Sequence, residues 1–112
     1  MKNLSAPSRA LGARIVKKVP FEDRFIGYAL SERHGAIRIT SYSFQEVVNL
    51  LRGPMPRIDF NALVEWVGRT FEDAELAECM AEVIQKETND HDRVIHLRKL
   101  MEERLRQCRE RV

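Results

Sequence analysis

The stretch "ETNDHDRVIH", residues 87–96, decides whether the C-terminal half of this chain forms one helix or two. Helical apolar patterns flank it on both sides, yet residues 85–93 contain no apolar side chain. Thr, Asn, Asp and His are weak helix formers, and Asn and Asp favour helix starts and turns. The composition therefore predicts a break near Asn89, between a helix that begins near Asp73 and a second helix that begins at the break.

A single long helix is the alternative. Leu76 and Val94 lie at nearly the same helical angle, because eighteen residues make five turns, and no Gly or Pro follows Gly68. An unbroken helix over residues 73–110 would need a partner to cover its apolar stripe, so this reading would favour a dimer.

The same stretch also contains a candidate metal pair, Asp92 and His96. Four residues apart on a helix, the two side chains share one face and could ligate one ion. A third ligand would have to come from the polar face of the preceding helix, from Glu75, Glu78 or Glu82. Helix capping is the favoured interpretation, with Asn89 as N-cap and acidic residues in the first turn.

Two earlier helices carry clear start signals. Ser43 and Glu46 form a capping box before an apolar stripe, and Gly53 and Pro54 end that helix. Asp59 is the predicted N-cap of the next. Its apolar positions recur at helical spacing: Phe60, Leu63, Val64, Val67 and Phe71.

The N-terminal half favours strands instead. Residues 24–30 and 36–42 are rich in β-branched and aromatic side chains, and the turn between them contains Gly35, which predicts a β-hairpin. Residues 13–19 are a possible third strand, and residues 1–12 are expected to be flexible. The prediction is a single α+β domain over residues 1–112: a hairpin of two or three short strands, then about four helices that form most of the core.

Bulk composition narrows the classes of protein. The chain has 112 residues, 44% hydrophobic and 32% charged, which is typical of one globular domain. The two cysteines lack CxxC spacing, and the sequence shows neither a secretory leader nor an apolar run of about 20 residues. These features predict a cytoplasmic protein that does not enter the membrane. The net charge is only +2, but the charges are segregated: residues 71–92 are strongly acidic and residues 93–112 are basic.

Two surfaces are candidates for binding. The C-terminal apolar stripe, together with a tryptophan beside its own helix's stripe, predicts a self-association interface of Leu97, Met101, Leu105 and Trp66. The hairpin interleaves basic and aromatic residues, as single-strand nucleic-acid platforms do, with Arg33, His34 and Arg38 as candidate contacts.

No phosphate loop, nucleophile motif or cysteine cluster is visible, so no cofactor is predicted and an enzyme is the less favoured reading. The leading hypothesis is a small non-catalytic interaction or regulatory protein that forms a homodimer and binds another protein. Nucleic-acid binding and metal binding, or metal-assisted catalysis, are the alternatives.

Overall fold

The computed structural model describes residues 4–111 and confirms the α+β prediction. A single 3-10 turn at Phe21–Asp23 separates the first helix from the first strand. In chain order the elements are α1 (Arg9–Val16), β1 (Phe25–Ser31), β2 (Gly35–Ser41), α2 (Phe44–Arg52), β3 (Pro56–Arg57), α3 (Phe60–Thr70), α4 (Ala74–Lys86) and α5 (Asp90–Arg111).

The three strands form one antiparallel sheet in the order β2-β1-β3. The predicted hairpin is present, and Gly35 takes the positive φ of 68° that its turn requires. The inner face of β1 packs against the helices so closely that a Cβ on Gly27 would lie 2.7 Å from Leu50 Cδ2. The outer face carries Tyr28, which is 42% exposed.

The third strand differs from the prediction. Residues 13–19 were expected to extend, but α1 runs through them to Val16, because the Ser8 hydroxyl caps it by accepting from the Leu11 N–H at 3.1 Å. Only a single bridge from Lys18 to Ser43 has strand character. The third strand is supplied by β3 instead.

Three of the helices begin where the sequence predicts. Ser43 Oγ accepts from the Glu46 N–H at 3.0 Å, while the Glu46 carboxylate accepts from the Tyr42 N–H. Asp59 caps α3 through the Ala62 N–H at 3.0 Å. Asp73 caps α4 through the Leu76 N–H at 3.1 Å.

The chain folds back between α4 and α5, as the composition of the 87–96 stretch predicts. Asn89 Oδ1 accepts from the Asp92 N–H at 2.9 Å and so begins α5. Arg93 then reaches back to the end of α4, where its guanidinium donates to the carbonyls of Ile84 at 3.0 Å and Glu87 at 2.8 Å. These bonds satisfy carbonyls that the end of a helix leaves free.

The core joins the sheet to the helices through aromatic rings. Trp66 on α3 lies 5.4 Å from Phe25 of β1 and 4.9 Å from Phe71, and Phe71 in turn meets Phe44 of α2 edge-on at 5.5 Å. The Trp66 indole N–H donates to the Asp23 carbonyl at 2.6 Å, so its polar atom is satisfied although the residue is only 2% exposed.

A buried charge pair also lies within the helical layer. Arg104 of α5 is 1% exposed, and its Nε lies 2.9 Å from Asp73 Oδ2. The alignment of these two atoms is too poor for a hydrogen bond, so their attraction is an ion pair. Arg104 also donates to Glu75 Oε1 at 2.7 Å and to the Ser5 carbonyl at 2.8 Å. One side chain thus holds α5, the start of α4 and the N-terminal segment together.

The N-terminal segment is fastened to α4 and α5 at several points. Ser5 donates to the Glu75 carboxylate from both its hydroxyl, at 2.7 Å, and its backbone N–H, at 2.9 Å. Gln107 and Arg111 donate to the carbonyls of Leu4 and Pro7. The flexibility predicted for residues 1–12 stays a prediction. Residues 1–3 lie outside the described residues, and the contacts above are made by Leu4, Ser5 and Pro7.

Substitution of Arg104 tests the buried pair. Arg104→Met would leave the Asp73 carboxylate buried without its counter-ion, and we expect a loss of about 3–5 kcal/mol in the free energy of unfolding. The matched change Arg106→Met removes an exposed arginine from the same helix and should destabilise the fold much less. Urea unfolding curves measure both, and equal losses in the two variants would contradict the role given to Arg104.

The Glu75 carboxylate makes stability depend on pH. The Ser5 hydroxyl bond, and then Arg104, lower the pKa of Glu75 below its ordinary value of 4.5, although burial opposes them. A lowered folded-state pKa stabilises the fold above the ordinary value, and this contribution is lost as the pH falls through the lower one.

We therefore expect Glu75→Gln to be less stable than the parent at pH 7, by up to about 1 kcal/mol because the side chain is partly exposed. The difference should shrink as the pH falls below 4.5. Glu78→Gln, which changes an exposed carboxylate on the same helix, is the control and should show no such trend in unfolding experiments.

Candidate protein-binding groove

The connection between α2 and α3 is stiff and strained. Met55 lies between Pro54 and Pro56 and has a φ of 49°, in the left-handed region that side chains other than Gly rarely adopt. This conformation lets the Met55 carbonyl accept from the Leu30 N–H at 3.1 Å, beside the pairing of β3 with β1. The Met55 side chain is left 60% exposed.

A groove of about 570 Å³ lies between this connection and the first turns of α5. We call it the loop groove. Its apolar lining consists of Leu51, Pro54, Met55, Pro56, Val94 and Ile95. The volume is within the range of ligand-binding clefts, and the lining is mainly hydrophobic, as such clefts usually are.

The rim of the loop groove is basic. It carries Arg52, Arg57 and Arg98 against a single carboxylate, that of Asp90. Arg52 and Arg98 are both paired with the Glu102 carboxylate, at 2.8 Å and 3.4 Å from their Nε atoms, and the Asp90 carboxylate is paired with Arg93. Within residues 4–111, the Arg57 guanidinium has neither an ion pair nor a hydrogen bond. The rim therefore offers positive charge to whatever occupies the apolar floor.

The metal-binding prediction for Asp92 and His96 stays a prediction. Asp92 Oδ2 accepts from the Asn89 side-chain amide at 3.0 Å, and His96 Nδ1 lies 2.7 Å from Glu87 Oε1. Glu75 is bound to Ser5 and Arg104. Across residues 4–111, no three His, Cys, Asp or Glu side chains are grouped as metal ligands would be.

The residues expected to form a self-association interface lie in the hydrophobic core. Leu97 and Met101 are fully buried, and Trp66 and Leu105 are 2% and 4% exposed. The three residues of α5 pack within one subunit because α5 folds back on α4 and is covered by α1 and α2, and Trp66 packs against Phe25 and Phe71. Self-association stays a prediction, and so does the part of these residues in it.

The candidate nucleic-acid contacts are exposed. Arg33 and His34 lie in the turn of the hairpin, and Arg38 lies on β2. The sequence alone does not show that Arg57 joins them: β3 has only two residues, and its pairing with β1 puts Arg57 directly opposite Tyr28.

Thiol chemistry has little support. Cys79 and Cys108 are both buried, and burial raises the pKa of the Cys108 thiol, which disfavours the reactive thiolate.

Comparison with known proteins gives no relative for this chain. The sequence matches no protein-family model and no curated protein, and the chain matches no solved structure. Within residues 4–111, no helix has the length and apolar character needed to cross a bilayer.

Loss of the Asn89 cap tests the origin of the α4–α5 turn, which positions one wall of the groove. Asn89→Ala removes the acceptor for the Asp92 N–H, and we expect it to cost about 1 kcal/mol of stability in urea unfolding. Asn61→Ala, an exposed change inside α3, should stay within about 0.5 kcal/mol of the parent. A cap variant as stable as this control would show that the turn is held by Arg93 alone.

Proposed function

We propose that the protein is a non-catalytic binding module, and that its loop groove holds a segment of a partner protein. The segment would carry one or two large apolar side chains flanked by carboxylates. The observation that carries this proposal is Met55, an exposed apolar side chain held in a strained conformation over an apolar groove.

The strain at Met55 is informative because it is costly. A non-glycine residue with positive φ costs about 1 kcal/mol or more, and such residues cluster at binding sites. The two flanking prolines and the bond to Leu30 keep this backbone in place before any partner arrives. A preorganised site loses less conformational entropy on binding. The flexible thioether can still adapt to the shape of the apolar group that it meets.

The charges around the groove select the partner. Apolar contact with Val94, Ile95 and Met55 would supply affinity, as buried anchors do at protein interfaces. The arginines of the rim would attract acidic residues beside those anchors, and they would disfavour basic segments. A partner segment that combines both features is therefore the best complement.

A random peptide library displayed on phage and selected against the full chain tests the proposal. We expect the enriched peptides to share large apolar residues next to Asp or Glu, and to shift the NMR signals of the Met55, Val94 and Ile95 methyl groups. Peptides without this pattern, or shifts confined to other residues, would overturn the proposal.

Met55→Ala then separates binding from folding. Alanine keeps the backbone strain but removes the exposed anchor, so the free energy of unfolding should change by less than about 0.5 kcal/mol. Binding of a selected peptide should weaken by about 2 kcal/mol or more in calorimetry, as it does for interface anchors. Val16→Ala, at an apolar position of α1 that is also exposed, is the control and should bind the peptide like the parent.

A further inference from the structure

The outer face of the sheet presents an aromatic ring between two arginines. Tyr28 lies on the central strand, and its direct partners are Arg38 on β2 and Arg57 on β3. Directly opposed residues of antiparallel strands project from the same face. Since neighbouring strands lie about 4.8 Å apart, the two arginines begin about 10 Å from each other, with the ring between them.

These three side chains are available to a ligand. Tyr28 is 42% exposed, and Arg38 and Arg57 are both exposed. In the described part of the chain, neither guanidinium is engaged by a carboxylate or a carbonyl. By contrast, arginines such as Arg93 and Arg104 use their guanidinium groups to join segments of the fold.

A cavity of about 420 Å³ adjoins the Tyr28 ring and enlarges the surface that a ligand could contact. Tyr28, Ile26 and Phe60 give it apolar and aromatic walls, and Arg57 lies at its edge. Of its two carboxylates, Asp59 accepts from the Ala62 N–H through one oxygen, and Asp90 pairs with Arg93. The cavity therefore suits a flat, uncharged group, and an anionic group joined to it would lie outside the cavity, beside Arg38 and Arg57.

We propose that this face binds a single-stranded polynucleotide, with a base stacked on Tyr28 and the adjoining phosphates held by Arg38 and Arg57. A base provides the flat group and the backbone provides the charge, and stacking requires bases that are free of a duplex. Arg33 and His34 in the hairpin turn extend the basic surface along the strand direction. This site adjoins the loop groove, and the two share Pro56, Arg57 and Asp90 at their border.

Fluorescence anisotropy with labelled oligouridine and oligothymidine, each about 12 nucleotides long, tests the proposal, since that length lies within the footprint of a small binding fold. We expect Tyr28→Ala to weaken binding about tenfold or more, and Tyr28→Phe, which keeps the ring, to bind nearly as tightly as the parent. Arg38→Ala and Arg57→Ala should each lower the slope of log affinity against log salt by about 0.7, the value for one phosphate on a single strand. The two oligonucleotides show whether RNA or DNA is preferred.

Matched controls lie outside this face. Phe21→Ala removes another exposed aromatic ring, and Arg69→Ala removes another exposed arginine, so both should bind like the parent. Unfolding curves establish that each variant is folded. In the parent, the amide NMR signals of β1 and β2 should move when oligouridine is added, a result that needs no variant.

Three outcomes would overturn the proposal. The first is failure of the parent to bind either oligonucleotide at low salt, and the second is an equal effect of Tyr28→Ala and Phe21→Ala on binding. The third is competition by polyglutamate, or by a duplex of equal length, as effective as competition by oligouridine. That would show a general anion-binding surface, or one better suited to an acidic protein.

Discussion

The contact between Arg104 and Asp73 is the constraint on which the arrangement of the helices depends. Both side chains are almost completely buried, and a buried charge is tolerated only when its partner is in place. Asp73 is also the N-cap of α4, so the carboxylate that begins one helix fixes the position of another. Because Arg104 also binds the Ser5 carbonyl, a shift of α5 along its axis would break contacts with two other segments at once.

The loop groove and the sheet face that carries Tyr28, Arg38 and Arg57 both follow from this arrangement. With the C-terminal half of α5 held by Arg104, its first turns lie against the 54–57 connection, which is itself joined to the sheet through β3. Arg57 belongs to that short strand and faces both surfaces. A ligand on one side would therefore change the charge that is available on the other, and binding at the two sites is expected to be coupled through this residue.

Local signals in the sequence predicted much of the fold. Ser43, Asp59, Asp73 and Asn89 begin helices because capping depends on side chains only three residues apart. The prediction of a strand at residues 13–19 was wrong because the Ser8 cap and the burial of Ile15 outweigh the low helix propensity of the β-branched residues Ile15 and Val16.

Long-range features were not predictable in this way. No local pattern indicates that Arg104 will be buried, because its partners outside α5 lie 29 to 99 positions away. The same holds for the two proposed binding surfaces. No local pattern shows that α1, α2 and α4 cover the apolar stripe of α5, and β3 is too short to show a strand pattern.

The contacts of the N-terminal segment also determine the order in which the chain can fold during synthesis. The carbonyls of Leu4, Ser5 and Pro7 receive donors from residues 103, 99 and 104 positions later. The N-terminal segment leaves the ribosome long before the last turns of α5 are synthesised. Until then the hairpin and the early helices lack the contacts that α5 supplies. Completion of the fold therefore requires that α5 has emerged, and until then the nascent chain is exposed to aggregation or to chaperones.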